Sequence, residues 1–301
     1  MFSSNTQTLA QKRQHSTYIA AAVFLAPALF FLAVFVVYPI ISSFQISTTS
    51  WSGITPDRNF IGLDNWRELL GDSVFWRAFG NNITLMMLSL VFQVPFALLL
   101  ATILDAAGKR FNIFKIIWFL PLLMSTVAVG FLFRFVLNAN FGLLTYFSQM
   151  FGGGPIDLLG HPDRSHFAVI GVVAWRFIPF YMVLYLAGYS GLPEELYEAA
   201  IIDGATRGQY FRRVALPLLA PVIRSGAILS IVGSLSFFDL TFVMTGGGPA
   251  NSSELMATHM YRNAFMSQRM GYGSTVASAM FILITAIALI SIRLLSRKEK
   301  I

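Results

Sequence analysis

Six stretches of this chain are apolar over the roughly 20 residues that a helix needs to cross about 30 Å of hydrocarbon. They fall at 18–41, 83–104, 113–137, 167–189, 221–244 and 272–295. A helix satisfies its own backbone hydrogen bonds in lipid, so these runs predict an all-α membrane protein with six transmembrane helices. Charged residues make up 12% of the sequence, about half of the ~25% usual in soluble domains. That excludes an ordinary water-soluble globule, and 29 Phe exclude a disordered chain. There is no cysteine, so disulfides, thiol catalysis and zinc clusters are excluded together. The first run is too long for the apolar core of a signal peptide and has no small-residue cleavage site behind it, so it reads as a span. Pro27, Pro39, Pro95, Pro121 and Pro179 lie within spans, where neighbouring helices can satisfy the freed carbonyls.

The positions of the basic residues set the orientation. With the amino terminus inside, Lys12, Arg13, Lys109, Arg110, Lys115, Arg207, Arg212, Arg213, Arg224, Arg293, Arg297, Lys298 and Lys300 fall on the inner side. Only Arg58, Arg67, Arg77, Arg164, Arg262 and Arg269 fall outside. By the positive-inside rule both termini are expected in the cytoplasm. The formal charge of +7 is therefore a matter of topology against the lipid bilayer and does not point to nucleic acid. The outer segment 42–82 reads as a small amphipathic cap, and Gly-Gly-Gly-Pro at 152–155 and 246–249 marks tight turns. No outer segment is large enough for a separate domain, so residues 1–301 are expected to form one membrane domain.

The inner segment 191–220 breaks the pattern, because its sequence specifies structure. Pro193 followed by Glu194 and Glu195 suits a helix start. That helix can run through Glu198, Ala199 and Ala200 to Asp203, with Gly204 ending it. Thr206 and Gln209 then form a capping box for a second helix, which carries Arg212 and Arg213 and is expected to stop near Leu216 because of Pro217. Two short helices meeting at a glycine elbow are predicted between spans four and five.

The spacing Glu198-Ala199-Ala200, three residues, Gly204, nine residues, Val214, one residue, Leu216-Pro217 resembles the EAA loop of ABC importer permeases. Only the Ile of that pattern is changed, to Val214. Ala26-Pro27-Ala28, Tyr38-Pro39, Phe60-Ile61-Gly62-Leu63-Asp64-Asn65-Trp66 and Thr245-Gly246-Gly247-Gly248-Pro249 look like the carbohydrate branch of that family. The maltose subunit carries two additional spans and a large external domain that are absent here, so the six-span glycerol-phosphate and multiple-sugar type fits better. The resemblance implies the type I ABC importer permease fold and a coupling helix seated in a cleft on a separate ATPase. It implies an ATPase-coupling set of Glu198, Ala199, Ala200, Asp203, Gly204, Leu216 and Pro217, in which Glu198 meets a basic residue of the ATPase and Gly204 makes the turn. It further implies a second, homologous permease as heterodimer partner, two copies of the ABC ATPase with its ATP and Mg, and an extracytoplasmic solute-binding protein. The expected place is a bacterial or archaeal cell (inner) membrane. The function implied is ATP-driven import of a sugar, oligosaccharide or glycerol-phosphate-like solute, this chain lining half of the pathway.

The residues agree that the chemistry lies elsewhere. No phosphate loop is present, since Gly108-Lys109 has no glycine at the required distance before it. His161 and His166 flank Asp163 without a fourth ligand, so no metal is expected, and no catalytic grouping has a context. The chain is not expected to be an enzyme or to bind a cofactor. Polar residues inside spans mark pathways. Ser230, Ser234, Phe237 and Thr241 follow i, i+4, i+7, i+11 on span five, while Arg176 and Phe180 share a face of span four with Phe177 beside them. These seven residues are the candidate solute pathway. Asp239 is read as a structural ion-pair partner for Arg134 or Arg176, Gln93 as satisfying the kink at Pro95, and Gly273/Ala277 and Ser274/Ser278 as a packing face. The competing reading is a secondary transporter or channel, but the spans lack the acidic relay and inverted repeat that such a protein uses.

Overall fold

The computed structural model describes residue 18, residues 22–108 and residues 112–296. Lys12, Arg13, Lys109, Arg110, Arg297, Lys298 and Lys300, used above for orientation, lie outside the described residues. Among those described there is no strand, only one isolated bridge between Thr49 and Phe60. Five helices are long and apolar enough to cross a membrane: Ala22–Ile46, Ser73–Ala106, Pro162–Tyr189, Arg207–Met244 and Met270–Leu295. A bent pair supplies the remaining span, and the six are numbered below in chain order.

Span two begins well before the expected 83, because the Asp72 carboxylate accepts from the amides of Val74 and Phe75 and so starts the helix at Ser73. Ahead of it, the cap helix Asp64–Gly71 buries Asn65 and Leu69. Asn65 Nδ2 donates to the carbonyls of Ser47 and Thr49, both at 2.9 Å, and ties the cap to the outer end of span one.

Three of the spans widen into a π turn that ends two residues before a proline. These turns are Ala33–Val37 before Pro39, Ser89–Gln93 before Pro95 and Phe211–Ala215 before Pro217. In an α-helix a proline ring clashes with the carbonyl four residues back. One i→i+5 turn ahead of the ring relieves that clash while the helix continues. This corrects the expected stop near Leu216, since the helix runs on through Pro217 into span five.

Span three is not the straight helix expected over 113–137. Ile113–Leu123 and Thr126–Val136 meet at 95°. Pro121 removes one helical donor, and Ser125 adopts an extended conformation (φ −56°, ψ 135°), so the ladder ends at Leu123 and restarts at Thr126. Span five also breaks: it stops at Leu235, Phe238 lies at φ −139°, and a short outer helix resumes over Asp239–Met244.

Packing forms three clusters among the described residues. Spans two, four and five share Ala97, Ala101, Met182, Tyr185 and Leu219; toward their other ends Leu85, Val129, Val169 and Leu240 meet; and the cap helix joins spans two and six through Leu69, Phe75, Tyr272 and Val276. Lipid tails are as apolar as the side chains, so close van der Waals fit and small residues hold such helices together. On span five, Gly226 lets the Tyr185 ring of span four approach so closely that an added Cβ would lie 2.5 Å from its hydroxyl. Span six offers Ser274 and Ser278 to Ser43 of span one, with Oγ–Oγ 3.3 Å for the second pair, in keeping with a packing face. Span one otherwise stands apart. None of its most apolar window is buried, against 28–44% in the four other continuous spans.

Candidate functional site

The elbow between spans four and five is built by backbone geometry. Pro193 takes an extended conformation as N-cap of the helix Glu194–Ile202, with Glu194 and Glu195 in its first turn. At its end the Gly204 amide bonds to the Ile201 carbonyl and the Ala205 amide to that of Ala200, both at 2.9 Å. This is the Schellman pattern, with Gly204 at φ +74°. A Cβ there would meet nothing within 4 Å, so what requires glycine is the left-handed backbone, not space. The Thr206–Gln209 capping box forms in both directions, at 3.3 and 2.8 Å. The rings of Tyr197 and Tyr210, 5.0 Å apart, close the elbow.

Although its C-terminal end is closed by the Schellman turn, the helix Glu194–Ile202 buries none of its residues. Ile201 and Ile202 are exposed, as are Glu198 and Ala199, while Ala200 is half-buried. Asp203 is its C-cap, and Leu216 and Pro217 begin the straight part of span five. The helix thus presents aliphatic and acidic side chains on its exposed surface.

Within the spans, five of the seven pathway candidates line one pocket of about 250 Å³: Phe177, Phe180, Ser230, Ser234 and Phe237. Ser89, Gln93 and Tyr181 join them. Sequence reasoning placed Gln93 only at a kink and did not single out Ser89 or Tyr181. The Ser89-x3-Gln93 spacing was the available signal, and both residues are almost fully buried in the π turn of span two. The Ser230 hydroxyl is buried beside Tyr181 yet makes no hydrogen bond of good geometry. The rings of Phe177 and Phe237 meet edge to face at 6.0 Å across the pocket.

The other two candidates lie elsewhere. Thr241 is buried on the outer helix beyond the break at 236–238, so the i+11 register does not carry it to the pocket. Arg176 is turned to span three, where its Nη1 donates to the carbonyls of Pro121 at 3.2 Å and Met124 at 2.6 Å. These carbonyls belong to the broken end of Ile113–Leu123, and the guanidinium acts as that end's C-cap. Among the described residues Asp239 forms no ion pair with Arg134 or Arg176; it lies in the first turn of the outer helix and acts on Arg176 only through space. His161 accepts from the Asp163 amide, whereas His166 contacts the Asn81 carbonyl, so the two do not converge. Among the described residues no group of His, Asp and Glu could hold a metal ion.

A family model described as "Binding-protein-dependent transport system inner membrane component" matches residues 93–301. The chain is 34% identical over 275 residues to a probable ABC transporter permease protein of Bacillus subtilis (strain 168), covering 90% of this chain and 94% of the relative. It is 31% identical over 277 residues to the multiple sugar-binding transport system permease protein MsmF of Streptococcus mutans serotype c, covering 92% and 95%. A crystal structure of a bacterial ABC transporter involved in the import of the acidic polysaccharide alginate superposes with a TM-score of 0.81 at 25% identity, covering 97% of this chain and 99% of that one. The six-span architecture and these likenesses agree: the chain belongs to the family of binding-protein-dependent transport system inner membrane components and is a multi-pass permease subunit of an ABC importer.

Proposed function

We propose that this chain lines half of a carbohydrate pathway and is driven by ATP hydrolysis on a separate subunit. The observation that carries this reading is the helix Glu194–Ile202, which starts at Pro193, is closed at its C-terminus by the Schellman turn at Gly204, and buries none of its residues. A helix held so firmly and left so bare is built to be pushed. In this reading it seats in an ATPase subunit, with Glu198 against a basic side chain and with Ala199, Ala200, Asp203, Gly204, Leu216 and Pro217 shaping the contact. ATP and Mg belong to that subunit, of which two copies complete the assembly. A second, homologous permease covers the bare face of span one and supplies the facing half of the solute pocket. The volume of about 250 Å³ is below the ~300–1,000 Å³ of complete small-molecule sites, as a half-site should be. An extracytoplasmic binding protein delivers the solute, and both termini lie in the cytoplasm. Residues 1–301 work as one membrane domain. The sugar transport named for the Streptococcus mutans relative supports a sugar, oligosaccharide or glycerol-phosphate-like solute.

The test is affinity purification of the chain from its native membrane in mild detergent, with identification of what comes with it. A second six-span protein together with an ATPase bearing a phosphate loop is the expected result. A chain recovered alone that moves solute without ATP would overturn the coupling and favour a secondary transporter or channel.

A further inference from the structure

We infer that the solute passing this half of the pathway is an uncharged saccharide, not an acidic or phosphorylated one. The inference rests on the pathway reading above and narrows it. The pocket pairs rings with neutral hydrogen-bonding groups: Phe177, Phe180 and Phe237 on one hand, Gln93, Ser230 and Ser234 on the other. No Lys, Arg, Asp or Glu lines it. Rings pack against the C–H faces of a sugar, and a carboxamide with hydroxyls can both donate to and accept from its hydroxyl groups. The Ser230 hydroxyl, buried beside Tyr181 without a hydrogen bond of good geometry, can turn to such a ligand.

The decisive residue is Arg176, a cation next in sequence to the pocket residue Phe177. It would be the natural partner of a carboxylate or phosphate. Its Nη1 is instead held by the Pro121 and Met124 carbonyls at the break in span three, and the residue is 7% exposed. Turning it to a solute would expose two helix-end carbonyls in the membrane, each without a donor. An anion against this wall would therefore lose its water and find no countercharge from this chain. The alginate transporter of the same fold carries an acidic polysaccharide; this wall has nothing built for one.

Cells with the complete importer, and cells lacking only this chain, are given a medium holding maltodextrins, xylo-oligosaccharides, oligogalacturonates and glycerol 3-phosphate, and depletion is followed by mass spectrometry. Depletion of neutral oligosaccharides that depends on this chain is expected. Chain-dependent depletion of oligogalacturonates or glycerol 3-phosphate overturns the inference and leaves the pathway reading standing. Depletion of neither class removes the carbohydrate reading, and the inference with it. In the same cells Gln93→Lys and Gln93→Glu should both cut uptake by about 100-fold or more, since each buries an unpaired charge. Full uptake with Gln93→Lys and loss only with Gln93→Glu would mark an anionic solute and sink the inference. Recovery of the partners with each variant checks assembly.

Discussion

Tyr272 donates its hydroxyl to Asp72 Oδ2 at 2.5 Å, joining the first turn of span six to the residue that starts span two, 200 positions away. His259 Nε2 reaches the same oxygen at 2.9 Å. One carboxylate thus gathers a phenol, an imidazole and two amides. Burial alone would raise the Asp72 carboxyl, yet these four donors hold it below its usual value. Burial holds the His259 ring below its ordinary 6.5, against the pull of Asp72.

Both groups have their folded values lowered, so both give stability that is present at neutral pH and lost as pH falls. His259 titrates first. The melting temperature in detergent should be level above pH 6.5 and fall as acid protonates the ring, with a further loss once Asp72 takes its proton. His259→Gln should flatten the first part of that decline. A melting temperature that rises on acidification would contradict the assignment.

Glu198→Lys should leave membrane insertion unchanged and reduce the ATPase recovered with the chain. Glu198 is exposed and pairs with nothing among the described residues, so the change has no structural cost of its own. Equal recovery of the ATPase and normal transport would remove Glu198 from the coupling contact.

Gly204→Ala should weaken the elbow by about 1 kcal/mol, because a Cβ at positive φ is strained. Gly204→Asn should cost less, since Asn tolerates the left-handed region. Transport rates ordered Gly, Asn, Ala would fit a backbone requirement. A tolerated Ala with a defective Asn would instead indicate that size matters there.

Gly226→Ala should destabilise the inner half by about 1–3 kcal/mol through overpacking against Tyr185. The Tyr185 hydroxyl is buried without a hydrogen-bond partner, so Tyr185→Phe removes the closest of the clashing atoms, at 2.5 Å, and loses no bond. The double variant should recover most of the melting temperature lost by Gly226→Ala. Additive losses would show that the two residues do not act on each other.

Local rules make much of this molecule legible from its residues. The caps at Thr206 and Gln209, the glycine end at Gly204 and five of the six spans follow from neighbours in sequence. The break in span three does not, because hydropathy records side chains and is blind to the carbonyls that Pro121 and Ser125 leave open. That Arg176 turns to the broken end of span three is hidden for the same reason, since its carbonyl partners lie 52 and 55 positions away. Thr241 lies outside the pocket for a related reason: its spacing counts a helical register across residues 236–238, where the helix stops. Phe177, Phe180, Ser230 and Ser234 meet in one pocket, as their spacing within single helices suggests, whereas Ser89 arrives from a third helix that spacing alone cannot bring near.

A π turn holds one residue more than an α-helix of the same rise requires, and each residue is worth about 100° of rotation. The turn at Phe211–Ala215 lies between the elbow and the serines of span five. Were it to relax to α, everything beyond it would swing around the helix axis while the ladder of backbone bonds stayed closed. The angle at which span five presents Ser230 and Ser234 is thus set by one extra residue in the π turn, and the ring of Pro217 holds that turn in place.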